Sequence, residues 1–564
     1  MKLIFLTLFV SIAFICHGQS PSMQWVTQTG GSNAVTTTHT GSDADGHIYS
    51  IGFFSGTIDL DPGAGVDLKT TVGSSDIFIV KTDAFGQYVW GKTFGSSGAD
   101  EGLHIAVDGE HLVACGFFLT SIDFDVQNPG GNLQSFGDFD AFVLQLDTAG
   151  QFVWVAQLGG GFGDIAHSLA VDLQGNVIIA GQFSGTADFD PSPGTFTLTA
   201  PGTSGSDGFA VKLDGMGQLI WAKQLGGTSS DLATEVSLTA DGSIYVGGSF
   251  RTTADMDPGT GTYFISSNGG DDAFVAKLDS LGQFIWAHGF GSAGFELCNS
   301  LTSDPQGGVV LAGPFQNSID ADPGPGTTQL NATGNVSAYL IRLDSAGQFG
   351  FAKAMKGTAN VTPRHIRTRS DGTIYLCGNY NGTTNFDLSG SAAGITTTGA
   401  EDAFLLSLDE TGNTRWLVHF GSTGSDDALG IHIDPSNALL LSGKFAGTCD
   451  FNLSGGGPIL TPAASRDGYI IKLSDPLITG APQEFQPQSS GLYPNPTTGV
   501  IHLREPTTAN SGIILSDAFG RPIWISQSTE SLNRLDLNHL PAGVYFLDYQ
   551  SKGGRTTERL LVVD

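Results

Sequence analysis

Charged residues are scarce in this 564-residue chain, at 14%. Cations are scarcer still: 24 Lys and Arg face 55 Asp and Glu, a net charge of −31. Such a surface repels phosphates and argues against nucleic acid as a partner. Cysteine is rare, and one of the five lies in the N-terminal apolar segment. The other four, Cys115, Cys298, Cys377 and Cys449, fall in different repeats without paired spacing, so they read as small core residues rather than a disulfide framework. Beyond the run from Leu3 to Ile15, no apolar stretch is long enough to span a bilayer. No window keeps a 3.6-residue period for three turns without glycine, which argues against helix. The sequence has no His-Glu-x-x-His, Gly-x-Ser-x-Gly, P-loop or Cys-x-x-Cys motif.

What is abundant is glycine, 80 residues, with short bursts of aromatic and β-branched residues between them. That composition favours many short strands joined by tight turns. An aromatic after a Gly-Gln turn marks a repeat. Trp25, Trp90, Trp154, Trp221, Trp286, Phe351 and Trp416 are spaced by 65, 64, 67, 65, 65 and 65 residues. One supersecondary unit is therefore stacked on itself. In the fourth unit, Val236–Thr239, Ile244–Phe250, Asp272–Asp279 and Gln283–Gly289 alternate with a period of two between turn residues. Four antiparallel strands, A to D, form a sheet with two apolar faces, and radial stacking buries both. The expected fold is all-β, a seven-bladed β-propeller. The last unit lacks a D strand after Tyr469–Leu473, and an orphan D-type strand, Met23–Val26, lies at the other end. The N-terminal strand is expected to close the ring and hide two open edges.

The A–B and C–D turns are tight, while the B–C segments run to about twenty residues and the D–A loops are Gly/Ser-rich. Function is expected on the long-loop face. Each B–C segment carries an Asp-x-Asp pair or a relative: Asp59/Asp61, Asp123/Asp125, Asp188/Asp190, Asp255/Asp257, Asp320/Asp322, Asn385/Asp387 and Asp450/Asn452. Residues i and i+2 share a strand face, so the two carboxylates are expected to point the same way. Two readings follow. The carboxylates and turn carbonyls could hold Ca²⁺, or the side chains could accept backbone N–H bonds and stabilise a turn. A second series, Asp76, Asp140, Asp207, Asp272, Asp402 and Asp467, precedes strand C, and a third, Asp100, Asp164, Asp231 and Asp426, lies in D–A loops. Repetition favours a structural role for both. Lys81, Lys212, Lys277, Arg342 and Lys472 read as a solvated or snorkelling strand position. His104, His167 and His365 fall in or near D–A regions and read as isolated surface or packed residues.

Both ends of the chain differ from the repeat. Lys2, the apolar run and Cys16-His17-Gly18 suggest a signal peptide over residues 1–18. Residues 475–491 carry Pro, Gln and Ser, as linkers do. From 492 onward the repeat is gone, and alternating strands with Gly turns suggest a small Ig-like β-sandwich of nearly balanced charge. Tyr493-Pro-Asn-Pro-x-x-Gly499, Asp517-x-x-Gly520 and Leu540-x-x-Gly-Val-Tyr545 closely resemble the C-terminal sorting domain of the type IX secretion system of Bacteroidota. The repeats resemble a bacterial β-propeller repeat family with Asp-Phe-Asp-Pro-Gly and Asp-x-Phe-x-x-Lys-Leu-Asp signatures. The first resemblance implies handling by the type IX machinery and export to the cell surface or medium; the second implies a fold without a settled activity.

The expected organisation is a signal peptide (1–18), a propeller (19–476), a linker (477–491) and a sorting domain (492–564). The expected role is a secreted, non-catalytic binding, adhesion or scaffold module for an extracellular glycan or protein. The alternative is an extracellular carbohydrate-active hydrolase or lyase with its site in the propeller channel. A cluster of channel carboxylates 5–10 Å apart would favour the second.

Overall fold

The computed structural model describes residues 21–125, 130–201, 205–389, 394–451 and 458–475, and the strands between 492 and 562. The expected signal peptide, the linker and Asn452 lie outside these residues. The chain divides into two compact units, Met1–Leu477 and Ile478–Asp564.

In the first unit the period-two segments pair into antiparallel sheets, some joined to the next through the small hairpins between them. Their A strands are Val35–Ser42, Glu101–Asp108, Ile165–Val171, Leu232–Leu238, Ser300–Ser303, Val361–Thr368 and Asp427–Ile433. Each A strand touches the A strand on either side, and the first touches the seventh. The circuit is closed, and the fold is a β-propeller. The last sheet of this unit draws its outer strand from the N-terminal side: Ser22–Thr29 pairs antiparallel with Asp467–Ser474, with Met23 opposite Leu473 and Val26 opposite Ile471.

The repeated residues are the ties between sheets. Each C–D turn ends in a glycine with positive φ, such as Gly150 and Gly217 at 79° and 77°. The preceding sheet's Trp lies against it. A Cβ on Gly217 would sit 2.8 Å from the Trp154 ring, so glycine is needed for space as well as for φ. The indole N–H then donates to a turn carbonyl: Trp25 to Ala84, Trp90 to Thr148, Trp154 to Gly215 and Trp286 to Ser345. The strand-C lysines reach the same carbonyls, Lys81 Nζ to Thr148 O at 3.0 Å and Lys277 Nζ to Ser345 O at 2.9 Å. They also pair with A–B turn carboxylates, Lys212 with Asp172 and Lys472 with Asp434, both at 2.8 Å. The four lysines are buried and Arg342 pairs with Asp304 at 2.7 Å, so of the solvated or snorkelling position expected from sequence the solvated form does not hold. For Lys212 and Lys472 the burial of the charge is compensated by a carboxylate and a carbonyl together. At the seam Asp475 stands in for the missing turn carbonyl, accepting from Trp416 Nε1 and pairing with Arg369.

The D–A acids stitch neighbouring sheets. Asp164 accepts from Gly160 N and, across the gap, Ser184 N; Asp231 does the same with Gly227 and Arg251. Glu296 fills this role between sheets four and five, accepting from Ser292 and Gln316, where no Asp marks the position in the sequence.

The second unit holds two antiparallel sheets. One joins Leu492–Tyr493, Val500–Leu503 and Arg534–Asp536; the other orders Pro522–Gln527, Gly512–Asp517, Gly543–Ser551 and Gly554–Val562. Ile513, Leu515, Tyr545 and Leu547 are buried at alternate positions of their strands, and Leu535 and Leu537 are buried as well.

Candidate functional site

The Asp-x-Asp segments do form small hairpins, for example Thr186–Asp188 with Thr197–Thr199. The strand ends at the first Asp, but the backbone pairing continues for one residue, Phe189 N to Phe196 O. Asp188 Oδ1 accepts from the N–H groups of Asp190 and Phe196, and Asp190 Oδ1 from Ser192. Asp59, Asp255 and Asp320 repeat the first pattern, and Asp61, Asp257 and Asp322 the second. Asp123 accepts from Asp125 N, and Asp387 from Ser389 N. Asp450 ends its short strand opposite Ile459. These bonds turn the chain beyond the second carboxylate. The residue between the carboxylates is the anchor: Leu60, Phe124, Phe189, Met256, Ala321, Phe386 and Phe451 are all buried. Phe189 packs 5.1 Å from the strand-C Phe209, and Phe386 4.9 Å from Phe404.

The asymmetric feature lies on the axis. In six of the A strands the pairing with strand B breaks at a bulge, as between Thr37 and His39 or Gly102 and His104. Opposite the bulge sits a strand-B glycine; a Cβ on Gly52 would be 2.0 Å from Thr36 O. The residue after the bulge is turned toward the axis. Counted four residues back from the A–B turn, the seven equivalent positions are His39, His104, Ser168, Glu235, Ser300, His365 and Gly430. Thus His104 and His365 belong to innermost strands and are not isolated. His39 and His104 stack with centroids 3.8 Å apart, and His39 meets His365 edge-on at 4.9 Å.

Hydrogen bonds set the tautomers. His39 Nδ1 is 3.0 Å from Ile105 O, and a carbonyl can only accept, so the proton is on Nδ1 and the Nε2 lone pair has no partner. His365 Nδ1 accepts from Ile431 N–H at 3.0 Å, which places its proton on Nε2, 3.5 Å from Glu235 Oε2. Neither His104 nitrogen has a partner. Glu235 accepts from Ser168 at 2.6 Å and from Ser300 at 3.1 Å. Burial, followed by the neighbouring cations, depresses His104 and His365 well below the ordinary imidazole value, and burial followed by the neighbouring histidines does so for His39; burial likewise pushes Glu235 up. The imidazoles are therefore neutral at pH 7.

The three rings offer ligating atoms within 4.8 Å of one another, the only such group among the described residues. With the His365 lone pair already accepting a backbone bond, the neutral cluster offers lone pairs from two rings rather than three.

Between this layer and the A–B turns lies a cavity of about 240 Å³. Its wall is the next inward-facing ring: Gly41, Ala106, Ala170, Ser237, Thr302, Arg367 and His432. Function was expected on the long-loop face; this cavity lies on the opposite side of the histidine layer. The A strands run from the D–A loops through the bulge to the A–B turns, so residues after the bulge are on the short-turn side. The sequence held one usable signal, the fixed offset of four residues before the A–B turn, which exposes this ring once the repeats are aligned on that turn.

Residues 491–563 match the secretion system C-terminal sorting domain. The chain therefore carries a type IX sorting domain, the mark of a secreted, cell-surface protein. No helix among the described residues is long and apolar enough to cross a membrane. The chain is 22% identical over 536 residues to an uncharacterized WD repeat-containing protein of Acanthamoeba polyphaga mimivirus, covering 80% of this chain and 38% of the relative. It is 27% identical over 443 residues to the regulatory protein FlaEY of Caulobacter vibrioides, covering 75% and 43%. The chain thus spans about two-fifths of the length of the curated relatives it matches. Among solved structures, the Neurospora crassa Pan2 WD40 domain aligns with a TM-score of 0.37 at 11% identity, over 78% of this chain and 89% of that one. PorZ, a surface component of the type IX secretion system of Porphyromonas gingivalis, aligns with a TM-score of 0.17 at 10% identity, over 95% and 100%.

Proposed function

We propose that this exported propeller is seven-bladed, that its tail is an Ig-like sandwich, and that the protein is a non-catalytic binding module displayed on the cell surface. On this reading residues 19–476 bind, 477–491 link and 492–564 address the protein to the type IX machinery. The observation that carries the binding role is the axial cavity. Its ring differs from sheet to sheet, as a specific site requires, while every peripheral motif repeats. No carboxylate lines it: Glu235 lies behind the wall, held by two serines and His365. Glycosidase chemistry needs a pair of carboxylates flanking the scissile bond, and the described cavity offers none.

The test is a paired assay of the full chain: a glycan array for binding, and the same glycans incubated for release of reducing or unsaturated ends. Binding without product supports a binding module. Product that disappears in Glu235→Gln would establish the enzyme instead. For the tail, truncation at Ser490 in the native host is expected to leave folded protein in the periplasm. Surface display of the truncated chain would remove the sorting role.

A further inference from the structure

The axial cavity has a sign opposite to that of the molecule around it. The chain carries a net charge of −31, yet the ionisable residues lining this cavity are Arg367, His39, His104 and His432, without an acid among them. The Arg367 guanidinium makes one hydrogen bond, from Nη1 to the carbonyl of its neighbour Ile366 at 3.0 Å, and no ion pair. Its remaining N–H groups are directed to no protein acceptor. Lys212, Arg342, Arg364, Arg369 and Lys472, by contrast, have acidic partners within 3.2 Å. Arg367 has none and lines the cavity. Glu235 attracts it electrostatically but makes no hydrogen bond to it; its oxygens accept from Ser168 and Ser300. The remaining wall joins the hydroxyls of Ser237 and Thr302 to apolar residues, two alanines and the aliphatic Val107 and Leu238 among them.

We infer that this cavity binds a small organic carboxylate, its anionic end on Arg367 and its apolar body against the aliphatic wall. A carboxylate matches the planar fork of a guanidinium in two parallel bonds. His432, 2.8 Å from Ser42 Oγ, and His104, with no partner of its own, flank the same space and can donate to a second oxygen. Inorganic phosphate or sulfate would meet the same cation but would leave the aliphatic wall facing a doubly charged ion, a costly burial. A divalent metal is disfavoured by the charge of Arg367 and by the His365 lone pair, which Ile431 N–H already occupies. At about 30 Å³ per water in the liquid, the cavity has the room of roughly eight waters. A six-carbon monocarboxylate fills that space.

This inference rests on the binding reading above, and the experiment separates the two. Isothermal titration and melting curves are run on the full chain at pH 7 with hexanoate, formate, 1-hexanol and Zn²⁺. Hexanoate is expected to bind with Kd of about 1 mM or tighter, and to raise the melting temperature. Formate, with the charge alone, and 1-hexanol, with the body alone, are expected to bind at least about tenfold more weakly. Arg367→Met is expected to weaken hexanoate at least about tenfold. Leu238→Trp, which fills the cavity without touching a charge, is expected to abolish binding, and it decides the matter if Arg367→Met does not fold. Hexanoate that fails to bind at 10 mM, or that binds folded Arg367→Met and Leu238→Trp as it binds the parent, overturns the inference. So does stoichiometric Zn²⁺ binding that is lost in His39→Ala. A positive glycan array with no hexanoate binding removes this ligand class and leaves the binding module standing.

Discussion

The hairpins at the periphery and the ring on the axis obey opposite rules. Around the rim one solution recurs: an Asp or Asn side-chain oxygen caps a turn, a buried residue follows, and in five of the repeats a second carboxylate caps the next turn. On the axis the equivalent position is His, His, Ser, Glu, Ser, His and Gly, and the ring above it holds one Arg and one His among small residues. Every sheet must solve the same packing problem, so selection for folding leaves repetition. A ligand is asymmetric and needs one arrangement, so a site breaks the repetition. In a repeat protein the chemically informative residues are those that disagree with their equivalents.

The contrast can be broken most sharply at the rim. Phe189 is wholly buried between Phe183 and Phe209. Phe189→Ala is expected to cost about 3–5 kcal/mol in denaturant unfolding. A cost under about 1 kcal/mol would mean that the hairpin is not anchored by its middle residue.

The second effect depends on pH. Asp207 is fully buried, its Oδ1 has no partner, and burial, opposed by the Gln224 bond, raises its folded pKa to about 7. A raised folded pKa means that the native state holds the proton more tightly than the unfolded chain. The group's stabilisation is complete below its unfolded value near 4 and is lost as pH rises through about 7. Asp207→Asn, with nothing to ionise, should lose less stability between pH 4 and 8 than the parent, by on the order of 2–4 kcal/mol. Parallel stability–pH curves for the two proteins would show that Asp207 is not desolvated in this way.

On the axis, Glu235→Ala leaves the hydroxyls of Ser168 and Ser300 without an acceptor, at an expected cost of about 2 kcal/mol. A double mutant with Ser300→Ala should recover part of it, and strict additivity would separate the two residues. The smallest effect is at the caps. Asp188→Ala frees the N–H groups of Asp190 and Phe196 and should cost about 1–2 kcal/mol. If the Asp-x-Asp carboxylates act only as caps, that cost is the same in EDTA and in millimolar Ca²⁺, and the parent melts at one temperature in both. A calcium-dependent rise in the parent, lost in Asp188→Ala, would assign a cation to the hairpins.

The 65-residue spacing, the four period-two segments per repeat, the orphan strand at Trp25 and the sorting motifs from Tyr493 onward are all local features. They can be read from sequence because a strand's alternation and a turn's glycine are imposed by neighbours a few residues away. The sequence by itself therefore determined the all-β class, the repeat, the separate tail and the export address. It did not disclose that Lys81 and Lys277 reach the turn carbonyls of another sheet, that Glu296 does an aspartate's work, or that His39 and His365, 326 residues apart in the chain, share one axis. A β-bulge shifts which residues face inward, and a single-residue shift of register exchanges inside for outside. Only the closed ring of sheets decided which side chain from each strand meets the other six.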